Sequence, residues 1–81
     1  MPGTPVRLSD LGEGAIARFD EARLDSAASS LLRALGLTKS CLIRLCQNGD
    51  PFIVQVRSTR IGLSREVAGG IYVIPQPRSA A

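Results

Sequence analysis

The sequence of 81 residues is long enough for one domain with a thin core, because a chain of this size buries only about 60% of its unfolded surface. Ten basic residues against seven acidic ones give a net charge of +3, and their spread along the chain favours an ordinary solvated surface over a nucleic-acid footprint. The aromatic residues are Phe19, Phe52 and Tyr72, too few for a face that stacks bases or a groove that reads Pro-rich peptides.

The chain begins with an extended lead-in and a turn over residues 6–14, followed by a first strand. Leu8 and Leu11 are spaced to anchor a single turn on the core. Alternating side chains then predict a strand over residues 15–20, with Phe19 on its inward face. This part of the chain therefore contributes one strand to a sheet.

A single helix is predicted to begin after Asp25 or Ser26, either of which can cap it by accepting a hydrogen bond from a free N–H. The helix runs to Leu35. Gly36 then lies where the chain turns left-handed, which only glycine does without a Cβ penalty. Leu37 can fold back on the last turn, as in a Schellman-type stop. Ala28, Leu31, Leu32 and Leu35 recur at helical spacing and form one apolar stripe, of which Ala28, Leu32 and Leu35 suffice to face a thin core.

The rest of the chain is predicted to form short strands and one helical turn. Asn48 and Gly49 centre the connection between the second and third strands and favour positive φ. The connection over residues 57–60 is expected to be looser, because it lacks glycine. The predicted strands are residues 41–46, 52–57, 61–63 and 71–74, with a helical turn over residues 64–68.

Five short strands with tight connections and one α-helix predict a mainly β fold. The architecture that fits this pattern is a small five-stranded barrel, which also removes exposed strand edges. We expect a single domain over residues 1–81, with its core at about residues 8–75.

The chemistry of the sequence argues against an enzyme. The chain has no His, the commonest general base and metal ligand. Cys41 and Cys46 are an odd number of residues apart within a predicted strand, so their thiols should face opposite sides and not converge on a metal ion. No catalytic residue, cofactor-binding residue or metal ligand is therefore assigned. With no long apolar run to insert into a membrane and no secretory segment, the expected location is the cytoplasm.

Several short stretches occur together in this chain: Leu8-Ser9-Asp10-Leu11, Gly14, Leu32-x-x-Leu35-Gly36-Leu37, the alternating second and third strands, Ile61-Gly62-Leu63, Ala68 and Ile71-Tyr72-Val73. Their order and spacing resemble the ferrous-iron transport protein A family (FeoA). The resemblance covers residues 8–75 and implies a small cytosolic protein with an SH3-like barrel. It also implies an accessory role in ferrous-iron uptake. The partner would be the membrane transporter with a cytosolic GTP-binding domain. The protein would bind that cytosolic part and promote iron transport or assembly of the complex, without itself hydrolysing nucleotide.

The chain departs from the family's usual pattern at three positions. Leu31 stands where members usually carry a basic residue, Ser40 where they usually carry Gly, and Ser64 where an Arg is common. These departures also suit a stand-alone relative of the SH3-like domain found at the C-terminus of some metal-dependent repressors.

The helix carries more apolar surface than a thin core needs. Ala27, Leu31 and Ala34 extend the apolar sector around one flank, near polar Arg33. These four residues are the predicted contact surface for the transporter. The alternative is that a larger core covers the flank.

The sequence leaves two other kinds of partner possible, nucleic acid and a second copy of the chain. A basic barrel could bind nucleic acid through arginines, although the scarcity of aromatics disfavours it. Leu42 and Ile53 lie on predicted outer faces, where the helix or a second copy of the chain could cover them. The arginines of the nucleic-acid alternative are Arg44, Arg57, Arg60 and Arg65.

Overall fold

The computed structural model describes residues 4–76 as one antiparallel sheet with two helices. The single domain predicted over residues 1–81 includes residues 1–3 and 77–81, which lie outside the described part. The elements are β1 (Val6–Arg7), a 3-10 turn (Leu8–Asp10), β2 (Ile16–Ala22), α1 (Ser26–Ala34), β3 (Leu42–Gln47), β4 (Phe52–Val56), β5 (Thr59–Leu63), α2 (Arg65–Ala68) and β6 (Ile71–Pro75).

The sheet has six strands in the order β1-β6-β2-β3-β4-β5, which corrects the prediction of five. The additional strand is β1, whose Val6 and Arg7 pair with Val73 and Tyr72 of β6. A two-residue strand is too short to show alternation, so the sequence indicated only an extended segment there. Within residues 4–76, strand pairing runs in one line and does not join β1 to β5, so it does not confirm a closed barrel.

The core is built by the alternation that the sequence predicted. The inward side chains of all strands after β1 are buried, and Leu8 and Leu11 anchor the turn before β2 as expected. Among residues 4–76 no polar or charged side chain is buried, so the core is entirely apolar. Its members are Leu8, Leu11, Ala17, Phe19, Leu32, Leu37, Ile43, Leu45, Phe52, Val54, Val56, Ile61, Leu63, Ala68, Ile71 and Val73.

Both helices begin at a capping side chain. Asp25 accepts a hydrogen bond from the Ala28 N–H at 2.8 Å, so of the two predicted caps the aspartate is the one used. Ser64 caps α2 in the same way, accepting from the Val67 N–H at 3.2 Å. These bonds satisfy N–H groups that have no partner within a first helical turn.

The end of α1 is the predicted Schellman stop. Gly36 has φ of +105°, and its N–H donates to the Arg33 carbonyl at 3.1 Å. The Leu37 N–H donates to the Leu32 carbonyl at 3.0 Å. These are the two bonds of the motif, and they direct the chain from the helix back towards the core.

The connection between β3 and β4 differs from the prediction. Gly49 is not among the glycines with positive φ. Gln47 pairs with Ile53 and β4 begins at Phe52, so residues 48–51 connect the strands without the positive φ that the Asn-Gly pair was expected to adopt.

Two residues other than glycine adopt the left-handed region instead. Arg57 (φ 59°) starts the connection from β4 to β5, and this turn is tight because Val56 pairs directly with Thr59. The prediction of a looser turn there was wrong. Ser40 (φ 72°) lies just before β3, at the position where the resemblance implies glycine.

Candidate functional site

The outward flank of α1 is free of other elements. Leu31 is 61% exposed, and Ala27 and Ala34 are exposed with it. These three residues are spaced by three and four positions, so they form one apolar stripe on the helix surface. The alternative of a larger core that covers this flank is therefore wrong for residues 4–76.

The stripe that faces the core is narrower than the sequence predicted. Leu32, at 3% exposed, is the single buried residue of α1, whereas Leu35 is 39% exposed and Ala28 is half-buried. Leu37, which the helix stop turns inwards, is 3% exposed and joins Leu32 in the core. Leu37, three residues beyond the end of α1, is therefore buried, whereas Leu35 is not.

The fourth predicted contact residue, Arg33, lies on a different side of the helix. It borders a cleft of about 360 Å³ between α1 and β2, together with Glu21 and Lys39. Ala34 instead borders a depression of about 410 Å³ beside the turn from β4 to β5. The structure therefore groups Ala27, Leu31 and Ala34, which we call the helix flank, and places Arg33 apart from them.

The outward face of the sheet carries exposed aliphatic and basic side chains. Leu42 is 57% exposed and Ile16 is 38% exposed, so α1 does not cover them. Ile53, the other residue considered for self-association, is half-buried. Of the arginines considered for nucleic acid, Arg65 begins α2 and the others lie on or beside this face. We call the following residues the basic sheet face: Ile16, Arg18, Leu42, Arg44, Gln55, Arg57 and Arg60.

A cluster around Tyr72 joins the two ends of the described chain. The Arg7 Nε donates to the Tyr72 hydroxyl at 3.3 Å, and the Arg23 guanidinium lies 4.8 Å from the centre of the ring. Arg23 also pairs with Glu21 at 2.7 Å. The hydrogen bond from Arg7 is the main cause that lowers the pKa of Tyr72, and the same bond raises the pKa of Arg7. Sequence analysis missed this cluster because it depends on the pairing of β1 with β6.

The two cysteines are free and half-buried. Cys46 Sγ lies 3.9 Å from the Gln55 Oε1, a weak contact across the strand pair. In the part of the chain that the structure describes, no three Cys, Asp or Glu side chains are grouped to hold a metal ion. No helix of residues 4–76 is long and apolar enough to cross a membrane.

Comparison with known proteins places this geometry among related structures. A family model described as the FeoA domain matches residues 6–75. A search among curated proteins finds no match. FeoA of Stenotrophomonas maltophilia, solved in complex with zinc, is 29% identical with a TM-score of 0.76, over 84% of this chain and 88% of that one. FeoA of Chlorobium tepidum is 25% identical with a TM-score of 0.84, over 89% of this chain and 71% of that one.

A manganese-dependent transcriptional repressor has the same fold, with a TM-score of 0.83 at 15% identity, over 94% of this chain and 44% of the repressor. The Stenotrophomonas protein is described as a prokaryotic SH3 domain protein, which agrees with the expected SH3-like fold. The family match spans every strand from β1 to β6. The chain therefore belongs to the FeoA domain family.

Proposed function

We propose that this protein is a non-enzymatic cytosolic accessory factor of ferrous-iron uptake. It binds the cytosolic GTP-binding part of the membrane iron transporter and regulates or assembles it. The observation that carries this proposal is the family match over residues 6–75. The Stenotrophomonas relative has itself been proposed as a ferrous iron transport activating factor.

The helix flank is the surface proposed to meet the transporter. Leu31 leaves 61% of its surface in water, and burying a leucine side chain completely contributes about 1.5–3 kcal/mol. Ala27 and Ala34 on either side are small, so a partner side chain can approach Leu31 closely. An apolar centre with a polar border is typical of protein–protein contacts.

Arg33 is proposed as a second, polar contact beside the cleft between α1 and β2. Its guanidinium is exposed, so it can pair with a carboxylate of the transporter. Because Arg33 and the helix flank lie on different sides of α1, a partner that touches both must wrap around the helix end.

The test is a binding titration with the purified cytosolic GTP-binding domain of the transporter from the same organism. Leu31→Asp removes the apolar centre and should weaken binding at least about tenfold, the factor that corresponds to about 1.4 kcal/mol. Leu42→Asp is the matched control, because it makes the same substitution at a leucine that is 57% exposed on the outward face of the sheet, away from the helix flank. It should leave the affinity unchanged.

Each outcome of this titration has a clear meaning. If Leu31→Asp binds as tightly as the unaltered protein, the helix flank is not the contact surface. If the unaltered protein does not bind the domain, the proposed partner is wrong. GTP hydrolysis followed in the same samples should come from the transporter domain alone, and turnover by the accessory protein by itself would contradict the non-enzymatic role.

A further inference from the structure

The basic sheet face brings together arginines from separate strands. Arg44 of β3 lies opposite Ile16 of β2 and Gln55 of β4. Arg18 of β2 lies opposite Leu42 of β3. Residues that face each other across neighbouring strands point to the same side of a sheet. Cations and aliphatic side chains therefore alternate across this surface.

The arginines of this face have no acidic partner in the described structure. The segments β3, β4 and β5 contain no Asp or Glu, and in the described part of the chain Asp20 and Glu21 of β2 form no ion pair with an arginine of this face. The ion pair found within residues 4–76 joins Arg23 to Glu21, at the far end of β2. The guanidinium donors of Arg18, Arg44 and Arg60 are thus available to an anion from outside the chain.

A groove of about 330 Å³ crosses the same face. Ile16 and Leu42 provide its apolar surface, and Arg44, Gln55 and Arg57 border it. Leu42 is 57% exposed, so an apolar side chain of a partner can cover it. The groove combines an apolar centre with cationic edges, and its chemistry is complementary to an apolar side chain flanked by carboxylates.

We propose that the basic sheet face binds an acidic protein segment that carries an aliphatic anchor. The anchor covers Ile16 and Leu42, and carboxylates on either side pair with Arg44 and Arg57. Nucleic acid fits less well, because the one aromatic side chain among the outward positions, Tyr72, is already engaged by Arg7.

This binding surface goes beyond the proposed contact with the transporter. It uses strands β2 to β5, whereas the helix flank belongs to α1. Arg57 borders both the groove and the depression beside Ala34, so the two surfaces are tested separately through Leu31 and Arg44, and the failure of one leaves the other intact.

The probe is a fluorescent peptide with a pair of leucines between runs of glutamate, followed by polarisation with the full chain. Arg44→Glu should weaken binding by roughly tenfold or more, because a hydrogen bond to a charged group is replaced by repulsion. Arg65→Glu is the matched control, since it makes the same change in net charge from α2. Arg44→Gln and Leu42→Ser test the charge and the apolar contact separately, with circular dichroism to confirm folding.

Support requires weaker binding by Arg44→Glu, Arg44→Gln and Leu42→Ser, no change by Arg65→Glu, and loss of binding when the peptide's glutamates become glutamines. Equal weakening by Arg44→Glu and Arg65→Glu would show attraction by net charge alone and overturn the proposal. Tighter binding to phosphatidylserine vesicles or to a single-stranded oligonucleotide than to the peptide would also overturn it. So would dimerisation of the chain through Leu42, read by light scattering and abolished by Leu42→Ser.

Discussion

Leu32→Ala tests whether α1 is held to the sheet by one side chain. Leu32 is 3% exposed and is the single buried residue of this helix. Truncating a buried leucine costs about 2–5 kcal/mol, which combines lost transfer free energy with the cavity left behind. Leu32 borders the cleft between α1 and β2, so water can enter the vacated space and relieve part of the cavity cost. We therefore expect a loss near the lower end, about 2–3 kcal/mol.

This loss is a large share of the total, because an 81-residue domain has a free energy of unfolding of about 4–12 kcal/mol. The assay is urea unfolding followed by circular dichroism. Leu31→Ala is the matched control: Leu31 is 61% exposed, and its truncation should change the free energy of unfolding by less than about 1 kcal/mol. Equal losses for the two variants, or a loss below about 1 kcal/mol for Leu32→Ala, would refute the single-anchor reasoning.

Three further predictions concern backbone and charge. Gly36→Ala should lower the free energy of unfolding by about 1–2 kcal/mol, because the backbone there has φ of +105°. The new methyl group would lie at an ordinary 3.8 Å from Val56, so the loss comes from the backbone and not from a clash. Gly62→Ala, where the methyl group would meet nothing, is the control in urea unfolding. Ser40→Gly should stabilise the fold by about 0.5–1 kcal/mol in the same assay, since φ of 72° suits glycine. Tyr72 is the single tyrosine, so phenolate absorbance should report its lowered pKa, and Arg7→Gln should raise that pKa towards about 10. Because folding lowers the pKa of Tyr72, the ionised side chain stabilises the folded state. This stabilisation is complete above the ordinary tyrosine pKa and is lost as pH falls through the lowered pKa of Tyr72, so near neutral pH Arg7→Gln should leave the pH dependence of unfolding unchanged.

Local signals in the sequence predicted most of the fold. The order Leu32, Leu35, Gly36, Leu37 specifies a helix end because the stop requires only a left-handed glycine and an apolar residue after it. The strands from β2 onwards were predicted from side chains that alternate between apolar and polar over several residues, or from a pair of apolar residues on either side of one position, as at Ile61 and Leu63 around Gly62. Both patterns indicate which face of the strand points inwards. Both signals act between neighbours in the chain.

The remaining features depend on contacts between distant segments. The register of β1 on β6 places Arg7 beside Tyr72, and no local pattern contains that pairing. Helical spacing placed Leu32 towards the core and Leu31 on the flank, but it also placed Leu35 towards the core, whereas Leu35 is 39% exposed. The basic sheet face needs the register of strands β2 to β5, including the irregularity near Leu45, before its arginines can be placed together.

The single anchor of α1 has a consequence for how the protein opens. Elements that bury few apolar side chains can detach while the rest of a domain stays folded. Amide hydrogens of α1 should therefore exchange with solvent deuterium through a partial opening, long before those of the central strands. A ligand seated on the helix would slow that exchange, so the same amides can report occupancy of this side of the molecule.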